Sequence, residues 1–315
     1  MTPLPVTVVG GFLGSGKTTL VNHVLSGDHG LRIAVIVNDF GAVNIDAALI
    51  ASAEGGVVSL ANGCVCCALN AGLVEQLEAL LARAGELDHV LIEASGVADP
   101  GRIMDTVRHA RFRGRLRPDA VVVLVDAAGF DAARAVGAGL AETQLDAADL
   151  VVLNKTDLAT RAELDAWRTR WLPKGGRIVE TTVARVPFDV LFGGPAGPAG
   201  RPHDHHHHHH DHDLPASVVW RSRAPVDLRA LQAALADLPA SVYRAKGFVA
   251  AADGRVFAAH LVGARLAFEP LRAPPPGFED ESTLVLIGLG PAPDWDAILR
   301  RLDTCAATPA PESVR

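Results

Sequence analysis

The chain has 315 residues, more than one core comfortably holds, since chains beyond about 250–300 residues tend to split into domains of about 100–200. Hydrophobic residues make up 49% and charged residues 21%, a globular balance that excludes wholesale disorder, collagen and coiled coil. The net charge of −7 comes with no basic stretch, so no nucleic-acid partner is expected. No apolar run approaches the roughly 20 residues of a membrane span, and no basic segment precedes Leu4–Val9 as in a signal peptide; the expectation is a cytoplasmic protein without a membrane partner.

In chain order, Val6–Gly10, Arg32–Val37, Val57–Leu60, His89–Glu93, Ala120–Asp126 and Leu150–Asn154 are short runs rich in Val, Ile and Leu, the pattern of strands buried on both faces. Between them Thr18–Leu25, Leu69–Ala84, Arg102–His109 and Arg161–Trp171 carry apolar residues at helical spacing. This alternation predicts an α/β fold, a mostly parallel sheet with helices on both faces, whose ligands bind at the carboxyl ends of the strands. The stretch Gly193–Pro215, with glycine, proline and a histidine run, cannot build a core and reads as a flexible linker. Beyond it, strands over Val218–Arg223, Ser241–Ala251, Arg255–Leu261 and Leu284–Gly288 and helices over Asp227–Leu238 and Asp294–Asp303 predict a smaller α+β domain. The predicted division is 1–192, linker 193–215, second domain 216–305 and a tail 306–315.

Gly11-Phe12-Leu13-Gly14-Ser15-Gly16-Lys17-Thr18 matches GxxxxGK[ST] between a strand and a helix, the context of a phosphate-binding P-loop. The amides of Gly11, Gly14, Ser15, Gly16, Lys17, Thr18 and Thr19 are candidates to wrap phosphates, Lys17 to reach the β and γ phosphates, and the Thr18 hydroxyl to bind Mg²⁺. Glu93 ends a buried strand and is followed by Gly96; the carboxylate is a candidate to hold Mg²⁺ or orient water, and the glycine lets backbone approach the γ-phosphate. Lys17 and Glu93 are thus the candidate catalytic residues, with Asp126 a second candidate for the role of Glu93. Asn154-Lys155-Thr156-Asp157 follows another buried strand. A carboxylate there accepts from the two N–H donors of guanine, which selects GTP over ATP; the plainer alternative is a polar strand–helix turn.

Cys64, Cys66 and Cys67 stand within four residues. Three thiolates suit zinc or another soft or borderline cation, but tetrahedral zinc takes four ligands, so a carboxylate, histidine, water or partner group must complete the shell. Buried structural cysteines or redox thiols are the alternatives. His203, His205, His206, His207, His208, His209, His210 and His212, interleaved with aspartate, hold eight of the thirteen histidines and offer labile nitrogen ligands; an inert linker or an affinity tag is the other reading.

With the P-loop, Asn38-Asp39-Phe40-Gly41, Gly63-Cys64-Val65-Cys66-Cys67, Glu93-Ala94-Ser95-Gly96, Asn154–Asp157, the histidine-rich linker and Tyr243-Arg244-Ala245-Lys246-Gly247-Phe248 in this order, the chain resembles the CobW-type metallochaperone GTPases over residues 5 to about 303. The resemblance implies a P-loop GTPase domain with a CobW-like C-terminal domain, GTP and Mg²⁺ as nucleotide and cofactor, and a carried metal: zinc first, with Co²⁺ or Ni²⁺ as alternatives. It also implies a client metalloenzyme as partner, and leaves homo-oligomerisation open. Where many relatives read NEFGE, this chain reads Asn38-Asp39-Phe40-Gly41-Ala42, so Asp39 replaces the glutamate associated with metal and the second acid is missing. The expected activity is GTP hydrolysis coupled to metal delivery. The rivals are a passive zinc buffer with a vestigial nucleotide site and a P-loop kinase acting on a small molecule.

Overall fold

The computed structural model describes residues 3–38, 58–60, 71–137, 139–173, 175–193, 216–263, 265–271, 273–275, 278, 280–289 and 293–307. The chain divides into two compact units, Met1–Val186 and Pro187–Arg315.

The first unit runs β1 (Leu4–Gly11), α1 (Lys17–Ser26), β2 (Ile33–Asn38), β3 (Val58–Leu60), α2 (Ala71–Leu81), β4 (His89–Ala94), α3 (Pro100–Arg108), β5 (Leu116–Asp126), α4 (Phe130–Val136), α5 (Leu140–Asp146), β6 (Leu150–Asn154), α6 (Arg161–Trp171) and β7 (Arg177–Glu180). The strands form one sheet in the order β3-β2-β4-β1-β5-β6-β7, and each recorded pairing is parallel. β1 lies between β4 and β5, where the direction of winding reverses. The loops after these strands therefore meet at one carboxyl edge, the place where open parallel sheets bind ligands.

Side chains alternate across a strand. Val6, Val8, Ala34, Ile36, Val90, Ile92, Val121, Val123 and Val151 share one core with Leu77 of α2, Met104 of α3 and Leu145 of α5. Their neighbours Val9, Val35, Leu91, Val122 and Val152 are also buried, on the opposite face, and α1 packs against β1 and β4. Burial on both faces is why these strands read as continuous apolar runs; each such side chain contributes about 1.5–3 kcal/mol on leaving water. Helix starts are local as well. Asp99 caps α3, accepting from the Gly101 N–H at 2.8 Å, with Pro100 in the first turn. Thr160 and Glu163 form a capping box on α6.

The second unit contains α7 (Phe188–Phe192), β8 (Ala216–Ser222), α8 (Leu228–Ala236), β9 (Val242–Ala250), β10 (Val256–Val262), β11 (Arg265–Pro270), β12 (Ser282–Gly288) and α9 (Trp295–Asp303). Its five strands are antiparallel in the order β11-β10-β9-β12-β8. Trp220, Val249, Leu261, Leu284 and Leu286 pack with Leu231 and Leu235 of α8 and Ile298 and Leu302 of α9. This compact unit includes α7. Arg244, a buried guanidinium on β9, donates through Nη1 to the carbonyls of Leu191, at 2.7 Å, and Val190, at 3.4 Å, and so ties α7 to the second sheet.

Candidate functional site

β1 feeds the phosphate loop at the middle of the sheet, and α1 follows at once. Unlike α3 and α6, α1 has no side-chain cap; its first turn carries no acidic residue, and its N-cap is Gly16, in the left-handed region at φ 106°. Its first turn stands uncapped by any side chain at the positive end of the helix dipole, an anion-binding arrangement. A Cβ at residue 16 would collide with Nδ2 of Asn154, so both the dihedral and the space call for glycine. Ser15 is buried, and its Oγ has no hydrogen-bond partner among the described residues. Lys17 is 8% exposed and donates through Nζ to the carbonyl of Phe12 at 3.1 Å.

Thr18 Oγ1 donates to Glu93 Oε1 at 2.9 Å, so the sheet brings together two residues expected to share Mg²⁺. A hydroxyl and a carboxylate are hard oxygen donors, and they fit that ion. Beyond β4 the chain turns through residues 95–98, closed by a 2.9 Å bond from Ala98 N–H to Ser95 O. A Cβ on Gly96 would lie 2.8 Å from the Leu13 amide nitrogen; the glycine thus lets this turn lie against the phosphate loop.

On the other side of the loop, Asn154 is buried and acts as a tie. Its Nδ2 donates to Ser15 O at 2.9 Å and its Oδ1 accepts from Ala184 N–H at 2.8 Å. Lys155, at φ 59°, places its ammonium 2.7 Å from Asp126 Oδ2. Thr156 donates through both N–H and Oγ1 to Thr181 O. Asp157 lies exposed in a turn of 3₁₀ helix, 156–158.

Asp126, the second candidate for the role of Glu93, is engaged elsewhere. It holds Lys155 and accepts from the N–H groups of Ala128 and Gly129 at 3.1 and 3.0 Å. Burial pushes its carboxyl up, but the ammonium and the two N–H donors together outweigh this and hold it below the ordinary carboxylate range. It fixes the loop that carries Lys155.

Asp39, Cys64, Cys66, Cys67 and the histidines from His203 to His212 lie outside the described residues. What brackets the first of these segments is placed. Val37 and Asn38 pair with Glu93 and Ala94 at the end of β2, and Leu60 pairs with Ile36 at the end of β3. The chain therefore leaves toward Asp39, and again toward Cys64, from the carboxyl edge that carries Glu93. The remaining cysteine, Cys305, is buried in the second unit, and burial pushes its thiol up, which keeps it protonated and a poor metal ligand. Among the described residues no three His, Cys, Asp or Glu side chains gather as a metal site, and no helix is long and apolar enough to cross a membrane.

Sequence reasoning did not find Gln144 on α5. It is buried, and its Nε2 donates to Ala98 O at 2.8 Å and Gly96 O at 3.3 Å. The available signal was an amide on the apolar stripe made by Ala141 and Leu145.

Residues 5–174 match the CobW/HypB/UreG nucleotide-binding domain, and residues 216–306 match the cobalamin synthesis protein CobW C-terminal domain. The chain belongs to the CobW/HypB/UreG family. Among curated relatives, a zinc chaperone CobW of Pseudomonas aeruginosa is 38% identical over 60% of this chain and 60% of its own. The zinc chaperone YjiA of Escherichia coli is 40% identical over 52% of each. The matched stretch thus spans between half and two thirds of these relatives. The crystal structure of zinc-bound YjiA GTPase from E. coli aligns over 98% of this chain and 100% of that one, with 27% identity and a TM-score of 0.45.

Proposed function

We propose that this CobW-family chain is a cytoplasmic GTP hydrolase that carries zinc and delivers it to a client metalloenzyme. The observation that carries the reading is the shared edge. The strand end leading to Asp39 pairs with Glu93, and the strand end leading to Cys64 lies one strand further out on the same carboxyl edge, so a change at the γ-phosphate has a route toward the thiolates along that edge.

In this reading the N–H groups of the first turn of α1 and the Lys17 ammonium bind the phosphates, and Asp157 accepts from guanine. Thr18 and Glu93 would hold Mg²⁺, which when bound neutralises phosphate charge. Gly96 brings the N–H of the 95–98 turn toward the γ-phosphate. Water attacks the γ-phosphorus, the bond to the β-phosphate oxygen breaks, and the turn loses its anionic partner. Zinc, as cargo, is taken by Cys64, Cys66 and Cys67, with Asp39 as a candidate fourth ligand, and the histidines from His203 to His212 supply weaker sites. Order–disorder changes on loss of a γ-phosphate are an established kind of switch, and the names of the P. aeruginosa and E. coli relatives support zinc as the metal.

Competition with a zinc chelator, run with GDP and with a non-hydrolysable GTP analogue, tests the reading. The expected difference in zinc affinity is about 5- to 150-fold, and it is lost in the triple Cys→Ser variant. Equal affinity in both states removes the chaperone mechanism. Zinc binding without GTP turnover would point to a passive buffer, and phosphate transferred to a small molecule would point to a kinase.

A further inference from the structure

Gln144 sits on the face of α5 that packs into the first unit's core, 1% exposed. An amide there must satisfy its N–H groups, or its burial is costly, and it does so on the backbone that follows Glu93. Nε2 carries two hydrogens, and Ala98 O and Gly96 O are its two acceptors. From the other side, Gly96 is pressed against the phosphate loop at Leu13. Gln144 also lines, with Phe12, Leu13 and Ser15, the small cavity beside that loop. Gly96 is therefore held between Leu13 and Gln144, and the 95–98 turn is closed from within by Ser95 O and anchored from outside by one side chain.

We infer that Gln144 is a positioning residue for the γ-phosphate sensor. By fixing the carbonyls of Gly96 and Ala98 it sets the orientation of the intervening peptides, and with it the N–H that meets the third phosphate. The inference rests on the GTPase reading and adds to it the element that makes the site tell GTP from GDP. α5 leads through Asp149, which accepts from Val121 N–H at 2.8 Å, into β6 and the base-side loop. Gln144 thus anchors the turn to a helix whose C-terminal side is itself tied to β5.

The test uses the full-length protein and two variants of similar volume. Gln144→Met removes the donors, and Gln144→Glu sets a carboxylate against two carbonyl oxygens. Affinities for GDP and for a non-hydrolysable GTP analogue are measured with fluorescent nucleotides, and kcat and KM for GTP are measured alongside thermal unfolding. Losing two neutral hydrogen bonds predicts that the ratio of analogue to GDP affinity falls about tenfold in Gln144→Met and further in Gln144→Glu. GDP affinity should stay within about twofold, and kcat should fall more than KM rises. A merely structural role would weaken both nucleotides together or lower the unfolding temperature with the ratio intact, and either result overturns the inference, as does an unchanged ratio. Failure of the GTPase reading looks different: the wild-type protein itself would then not hydrolyse GTP or prefer the analogue.

Discussion

Replacing Asn154 with alanine should loosen the nucleotide site before any nucleotide arrives. The side chain is the donor to Ser15 O and the acceptor for Ala184 N–H, and both of those residues are buried, at 2% and 0% exposure. Truncation leaves a buried carbonyl and a buried N–H without their partner. Each such loss costs about 1–2 kcal/mol, or about 2–4 kcal/mol together. For a unit of this size that corresponds to a fall in unfolding temperature of roughly 4–16 °C. Thermal unfolding of the nucleotide-free protein, followed by circular dichroism, reads the loss directly. Asn154→Asp keeps an acceptor for Ala184 but turns a carboxylate toward Ser15 O, so it should recover little of the stability. Because Asn154 joins the phosphate loop to the loop after β7, its loss should weaken GDP and a GTP analogue to the same degree. An alanine variant as stable as the wild type, with unaltered nucleotide affinity, would refute this account of how the site is held.

Asp157→Ala should weaken GTP binding at least tenfold with the fold intact, since the carboxylate is exposed and no side-chain hydrogen bond or ion pair to it is recorded among the described residues; wild-type turnover of ATP at the rate of GTP would show that the guanine assignment is wrong. The Asp126–Lys155 pair should stabilise the first unit at neutral pH. Because the folded carboxyl lies below its ordinary value, that stability is present above about pH 3.9 and is lost as pH falls through the lower folded pKa. The stability gap between wild type and Asp126→Asn should therefore be constant near neutrality and close in acid; urea unfolding across that range measures it, and a gap that does not depend on pH counts against the pairing. Deleting residues 203–212 should lower the number of weakly bound zinc ions in a titration and leave GTP turnover and the tight site in place, whereas loss of the tight site would assign the histidines a share in it.

The central strands were legible because each is a short apolar run buried on both faces, and α1 because the phosphate-loop motif sets its first residue. β7 was not, since Arg177–Glu180 offers only two apolar residues. α4 and α5 share a stretch rich in alanine and glycine whose helical periodicity is weak. β11 ends at a proline on the sheet edge, where a strand pattern is least marked. The site divides in the same way. Thr18 and Glu93 could be paired from sequence because each belongs to a motif with a known place on a parallel sheet. The bonds that join the loops could not: Asn154 reaches Ser15 across 139 residues, and Gln144 reaches Gly96 across 48.

Both ties run from a side-chain amide to backbone, so the partner residue's identity leaves no trace in the sequence. On the proposed reading the two amides also divide the work: Asn154 would join the phosphate loop to loops that every guanine nucleotide touches, while Gln144 would hold the turn that only the γ-phosphate meets. Disturbing the first should therefore change how tightly nucleotide binds, and disturbing the second should change which nucleotide is preferred. If the two variants were indistinguishable in their ratio of GTP-analogue to GDP affinity, the loops would be acting as one rigid body. A γ-phosphate signal would then have no separate route toward the strand ends that lead to the cysteines.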